Sequence, residues 1–299
     1  MEFVTVEHNG SPVPGIRCGE HVFDLNQLGL SRPFHTLTDF IENHSASDLA
    51  VIESKLQDGN NACPGGCTAL CSENVKFLSP ITKPVHDILC VGLNYQKHIE
   101  ESETMLKEQG DIPKHAAYFS KRAYIVLGHG DALVLDDTLD DALDYEVELA
   151  VVIGKQGKNI HAGEALEYVF GYTILNDFSA RTIQQQHGQW FRGKSLDGYV
   201  ALGPSIVHRS RFAHPLALDI RLCVNGDVRQ QSNTHYMIRG VAELIAELSR
   251  GMTLVPGDII ATGTPEGVGM GFNPPRFLRR GDVVMCTIEG IGTLENRII

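Results

Sequence analysis

The sequence predicts a β-rich α+β fold, antiparallel or mixed and closed or rolled, rather than a doubly wound parallel sheet. Three observations carry this. Short runs rich in β-branched and aromatic residues recur along the chain, most of them ended by glycine or a turn dipeptide. Asn225-Gly226 stands between the apolar flanks of residues 218–230, the signature of a tight hairpin. Helical periodicity is confined to a few segments, too few to cover both faces of a parallel sheet.

Residues 1–80 read as a small separate α+β unit. Residues 3–6, 15–18 and 21–25 are short strands punctuated by Gly and Pro, and Phe40, Ile41, Leu49, Ile52 and Leu56 give residues 37–56 a helical pattern. Residues 58–66 form a loop by composition, and the segment 79–84, with Pro80 and Pro84, marks the boundary to a main domain over residues 85–299. In that domain residues 88–91 are a buried-type strand ending at Gly92. Residues 94–109 are a polar helix with Asn94 as N-cap and Gly110 closing it. Residues 145–153 form a strand closed by Gly154, and 172–175 a second apolar stretch that leads into Asp177. Val241, Leu244, Ile245 and Leu248 make one apolar helical stripe, stopped at Gly251. Residues 258–262 and 282–288 are the last strands, and no internal repeat is visible.

Composition excludes several classes of function. A net charge of −12 with no basic stripe or tail argues against a nucleic acid or an anionic membrane as partner. The opening residues MEFVTVEHNG lack a cationic and apolar leader, and no apolar run approaches the roughly 20 residues that span a bilayer. The seven cysteines are an odd number and mostly scattered, which fits a reducing, cytoplasmic setting. Cys63, Cys67 and Cys71 are spaced by four, but Pro64-Gly65-Gly66 prevents a helix that would stack them. A paired zinc spacing is also absent, so they read as structural or incidental rather than as a metal or redox site.

The most informative chemistry lies in Asp144-Tyr145-Glu146-Val147-Glu148 and in Asp177, 29 residues after Glu148. Residues two apart on a strand share a face, so Glu146 and Glu148 project together. Two adjacent carboxylates repel unless a cation lies between them. With Asp177 capping a neighbouring strand, three oxygen donors and no His or Cys suit Mg²⁺ or Mn²⁺. An isolated E-x-E on a half-exposed strand more often faces water; four further segments reverse those odds. His98 and Glu101 are three apart on the polar helix, where a carboxylate can fix an imidazole as a general base. Arg181 and Gln184 follow Asp177 within about one helical turn. Lys194 stands next to Gly193 in the segment that holds the only Trp. Residues 261–269 form a glycine-dense loop containing Thr264 that lacks the order of a phosphate loop.

With these in view, the chain from about residue 86 onward resembles the fumarylacetoacetate hydrolase superfamily. GLNYQKHIEE, DYEVELAVVIGK, VFGYTILNDFSAR, QWFRGKSLDGYVALGP, LSRGMTLVPGDIIATGTPEGVG and GDVVMCTIEGIGTLEN occur in that family's order. The small N-terminal unit also resembles the one carried by longer members. The resemblance implies the superfamily's mixed β-roll, barrel-like catalytic domain, a homodimer, and one Mg²⁺ or Mn²⁺ per subunit. It implies Glu146, Glu148 and Asp177 as metal ligands, His98 and Glu101 as a catalytic dyad on a lid helix, and Lys194 as the active-site lysine. Arg181, Gln184 and Thr264 fall where substrate contacts occur. Two departures stand out: Leu93 replaces the Arg or Lys of several acylpyruvate-cleaving members, and Ser179 replaces the commoner Thr.

Such a site stabilises the enolate of a small 2-oxo acid. Attack by water on a C4 ketone gives hydrolysis to pyruvate, loss of CO₂ gives decarboxylation, and reprotonation at another carbon gives tautomerisation. The His98–Glu101 dyad places acylpyruvate-type hydrolysis first, oxaloacetate-type decarboxylation second and isomerisation third. A catalytically silent metal-binding scaffold is the alternative from another class. Arg276, Arg279 and Arg280 read as surface or dimer edge ahead of a contact to a second substrate carboxylate.

Overall fold

Val147–Ile153 lies at the centre of the molecule, and all seven of its residues are buried. A strand covered on both faces needs a continuous apolar run rather than alternation, and VELAVVI supplies it. Val147, Leu149, Val151 and Ile153 enter one core, whereas Ala150 and Val152 enter a second on the opposite face. The computed structural model describes residues 1–58, 69–71, 75–106 and 114–299. Cys63 and Cys67, most of the 58–66 loop and the end of the 94–109 segment lie outside those residues.

The main sheet runs in the order Ala69–Cys71, His21–Asp24, Ser11–Cys18, Glu2–His8, Val200–His208, Val169–Asp177, Val147–Ile153, Ile259–Ala261, Ile88–Gly92, Ala117–Lys121. Most pairs are antiparallel, while Ile259–Ala261 and Ile88–Gly92 run parallel, so the sheet is mixed. Its two end strands are not bonded to each other, and the roll is not a closed barrel. The N-terminal strands continue this sheet through the pairing of Glu2 with Val207 and Phe3 with Ile206. A second sheet joins Asp227–Asn233, Asp219–Val224, Val283–Ile288, Gly292–Ile298 and Ala132–Leu133. Its hairpin turns at Asn225 and Gly226, with φ of 52° and 86°, the doubly left-handed turn expected of Asn-Gly. The Val241–Leu248 helix buries Val241, Leu244, Ile245 and Leu248.

Three local expectations are corrected. Residues 37–56 form two helices, Leu37–Asn43 and Ala46–Asp58. The break lies at His44 and Ser45, where Asp48 accepts from the Ser45 backbone N–H at 2.8 Å and Thr36 caps the first helix. The 94–109 helix begins at Gln96, and Asn94 does not cap it. Its amide instead donates to the carbonyls of Arg239 and Thr262 and accepts from the Arg239 N–H, tying segments about 150 residues apart. The strand expected from Tyr145 begins at Val147, because the Glu146 N–H donates to the Asn176 side chain and the Val147 N–H to that of Gln230. No described helix is long and apolar enough to cross a membrane.

Candidate active site

Strand register brings the three acids together. Val147 pairs with Asn176 and Glu148 with Leu175, which sets Glu146 opposite Asp177, and the Asp177 N–H donates to the Glu146 carbonyl at 2.9 Å. Side-chain alternation then sends Glu146, Glu148 and Asp177 to the face of the second core, together with Ala150, Val152 and Leu175. Ligand oxygens of the three carboxylates lie within 4.8 Å of one another, and all three residues are buried.

Each carboxylate is held from outside the cluster. Glu148 accepts from the Gly263 N–H at 2.7 Å, just beyond the Ile259–Ala261 strand. Glu146 accepts from Arg181 Nη2 at 2.7 Å and from Lys194 Nζ at 2.8 Å. Asp177 is gripped on both oxygens: Lys194 Nζ lies 2.8 Å from Oδ2 and Lys121 Nζ 2.5 Å from Oδ1. Lys121 also donates to the Phe178 carbonyl at 2.8 Å. Arg181 spends its other nitrogens on Asp144, at 2.9 Å, and on Gln184, also at 2.9 Å. The Thr264 hydroxyl donates to the Val147 carbonyl and accepts from Gln230, so here it braces the strand that carries Glu148.

Charge explains the titration behaviour. The buried network sets Asp144, Glu146, Glu148 and Asp177 against Lys121, Lys194 and Arg181, four negative groups against three positive. Burial opposes the charge on Glu146, but Lys194 and Arg181 outweigh it and hold the carboxyl at about 2. Burial pushes Glu148 well up, and the neighbouring Asp177 and Glu146 push it further. Burial lowers Lys121 despite Asp177, while the same burial is overcome at Lys194 by Asp177 and Glu146, which raise it. Three buried carboxylates whose charges oppose one another fit a hard divalent cation, and Mg²⁺ and Mn²⁺ take this oxygen donor set.

The second part of the site lies on the Gln96–Leu106 helix. His98 Nδ1 is 3.1 Å from Glu101 Oε2, and the Glu101 carboxylate accepts from the Gly267 N–H at 3.0 Å. Gly271 lies flush against it: a Cβ there would come within 2.0 Å of Glu101 Oε1. The 269–271 turn is in turn bound by Asp144, which accepts from the Gly269 and Met270 N–H groups at 2.6 and 3.0 Å. Leu93 adopts φ 56°, a left-handed turn between the Ile88–Gly92 strand and Asn94. Trp190 covers Gly92 so closely that any Cβ would meet the indole at 2.4 Å, and its ring meets Phe119 edge-on. Arg276 stacks on Phe272 at 4.7 Å, and Arg280 pairs with Asp137 at the surface.

Lys121, Asp144, Gln230 and Gly267 escaped the sequence reading. The only signal for Lys121 was a lysine closing the otherwise uncharged run AAYFSK. Asp144 adjoined the recognised acids without a role of its own.

Residues 87–299 match the family model described as fumarylacetoacetate (FAA) hydrolase C-terminal. Oxaloacetate tautomerase YisK of Bacillus subtilis (strain 168) is 49% identical over 224 residues, which cover 75% of this chain and 73% of that one. Fumarylacetoacetate hydrolase (EaFAH) from psychrophilic Exiguobacterium antarcticum superposes with a TM-score of 0.81 at 36% identity, over 100% of this chain and 99% of that one. Maleylpyruvate hydrolase from Sphingobium sp. SYK-6, solved with manganese(II) ion and pyruvate, gives 0.77 at 26% identity, over 100% and 99%. By motif order, fold and similarity, this chain belongs to the fumarylacetoacetate hydrolase family.

Proposed function

We propose that the protein is a metal-dependent enzyme that interconverts the keto and enol forms of a small 2-oxo acid of the oxaloacetate type. The observation that carries this is the buried, oxygen-only cluster of Glu146, Glu148 and Asp177 beside a lysine and an oriented histidine. The 49% identity to an oxaloacetate tautomerase supports the choice of reaction. Glu146, Glu148 and Asp177 would hold Mg²⁺ or Mn²⁺, which when bound supplies Lewis-acid stabilisation of negative charge on the 2-oxo oxygen.

The chain's own residues do the rest. Lys194 places a fixed ammonium beside the carboxylate cluster, where negative charge develops as the C3 proton leaves. Glu101 accepts from His98 Nδ1–H, which makes Nε2 the basic ring nitrogen that would take a proton from C3. Delivery of the proton to the 2-oxo oxygen completes the keto-to-enol step, and the reverse step moves it from the enol hydroxyl to C3, with no carbon–carbon bond cleaved. Arg181 holds Glu146 in place and is itself held by Gln184, which accepts from it. Tautomerisation asks for no second nucleophile, so this set is sufficient.

A second reading, acylpyruvate-type hydrolysis, is favoured by the same His98–Glu101 pair, since a base held this way also activates water, and by the likeness to a maleylpyruvate hydrolase. The proposal includes a cytoplasmic homodimer of subunits with a small unit at residues 1–80. Support for the dimer comes from Val134, Leu139 and Phe191, large apolar side chains left 67%, 50% and 43% exposed. Ultraviolet absorbance of the oxaloacetate enol, followed with Mg²⁺, with Mn²⁺ and with EDTA, tests the reaction. Metal-dependent acceleration without matching pyruvate supports tautomerisation. Stoichiometric pyruvate from acetylpyruvate would move the assignment to hydrolysis, and no acceleration in any arm would sink both.

A further inference from the structure

We propose that Lys121 is a positioning residue that sets the charge of the site, making the metal-loaded centre receptive to an anionic substrate at the expense of cation affinity. This rests on the metal-holding reading above. Lys121 ends the Ala117–Lys121 strand and is wholly buried, with Asp177 and the Phe178 carbonyl as its partners. It acts through Asp177, whose two oxygens are claimed by different lysines.

The two lysines are not equivalent. Lys194 bridges Glu146 and Asp177 and rests over the Phe119 ring at 5.6 Å, with carboxylates as its hydrogen-bond partners. Lys121 is fixed by the Phe178 carbonyl as well as by Asp177, so it stays on Asp177 if Lys194 turns to a substrate. A neutral donor would satisfy Asp177 Oδ1 equally well as a hydrogen bond. A buried ammonium costs desolvation, and what it adds is charge.

The charge count shows what that addition does. With a divalent ion bound and all four carboxylates ionised, four negative charges against three cationic side chains and the ion leave the centre positive by one. The carboxylate of a 2-oxo acid then neutralises it. Without Lys121 the loaded centre is already neutral and the anion meets no net attraction, whereas the bare centre attracts a cation more strongly. Removing this charge therefore moves the two affinities in opposite directions, while a residue that merely supports the fold would weaken both.

The test is calorimetry on the full chain with Lys121→Gln, which keeps a donor for Asp177 and Phe178. Mn²⁺ is titrated alone, and then oxalate is titrated onto the Mn²⁺-saturated protein. We expect Mn²⁺ to bind at least about threefold tighter and oxalate about tenfold weaker, the scale of one unscreened charge at this range. Lys121→Met, which keeps the apolar stem, is the second variant; the same pair of signs is expected, and either folded variant decides. Loss of both affinities, or change in neither, overturns the role of Lys121 and leaves the metal reading intact. Failure of the wild-type protein to bind Mn²⁺ overturns the metal reading and this one with it.

Discussion

The carboxylate–lysine network and the His98–Glu101 dyad serve one site but are built in different ways. Glu148, Asp177, Asp144 and Lys121 of the network sit on paired strands, Glu146 adjoins one, and Arg181 and Lys194 lie on short helices; all are at most 6% exposed, and backbone register sets the spacing of the acids. The dyad sits on a helix, its side chains 12% and 16% exposed, with Glu101 held by the Gly267 N–H and against the bare surface of Gly271. The first is rigid because breaking any ion pair would strand a buried charge. The second is placed by contacts that cost little to break, as suits a group that exchanges protons with a ligand that must enter and leave.

This contrast can be broken first at the network. Asp177→Asn turns one carboxylate ligand into a neutral amide and leaves buried Lys121 without its carboxylate, and Mn²⁺ affinity measured by calorimetry is expected to fall more than about 100-fold with loss of turnover. His98→Ala tests the other side: turnover of the enol is expected to drop by about 10² to 10⁴ while Mn²⁺ affinity stays within about twofold. A parallel loss of metal binding would show that the two regions are not separable.

Gly271→Ala is milder. The added Cβ collides with the Glu101 carboxyl, so a roughly tenfold loss of turnover is expected with the metal site untouched. An unchanged rate would mean that Glu101 moves without consequence. The smallest effect is on stability. Burial, then the N-terminal ammonium, Arg209 and His44, lower the His208 pKa from 6.5 to about 4. Between those values the unfolded chain takes up a proton that the folded one refuses, so stability falls as pH drops from about 6.5 to 4. Denaturation midpoints at pH 7 and pH 5 should differ less in His208→Gln, and an equal difference would remove His208 from the account.

How far the sequence foretold this follows from the same contrast. Glu146, Glu148 and Asp177 were readable because strand alternation and pairing are short-range rules that a single sequence displays. The Asn225-Gly226 turn and the Val241–Leu248 stripe were readable for the same reason. Lys121 was not, since its partner Asp177 is 56 residues away and nothing local demands a charge there. Asn94 looked like a helix cap, and its local signal lost to three backbone partners near residues 239 and 262. The helix break at Ser45 was legible and overlooked: Ser45-x-x-Asp48 has the spacing of a cap at a second helix.

Asp144 belongs to both regions. One of its oxygens meets Arg181, which clamps Glu146, and the same carboxylate binds the 269–271 turn against which Glu101 rests. The pocket wall and the metal shelf therefore share a single fastening and cannot be altered independently. Anyone grafting a new 263–280 loop onto this scaffold to change its substrate must supply two backbone donors for Asp144. Otherwise the graft retunes Arg181, and through it the cation site, from the far side of the pocket.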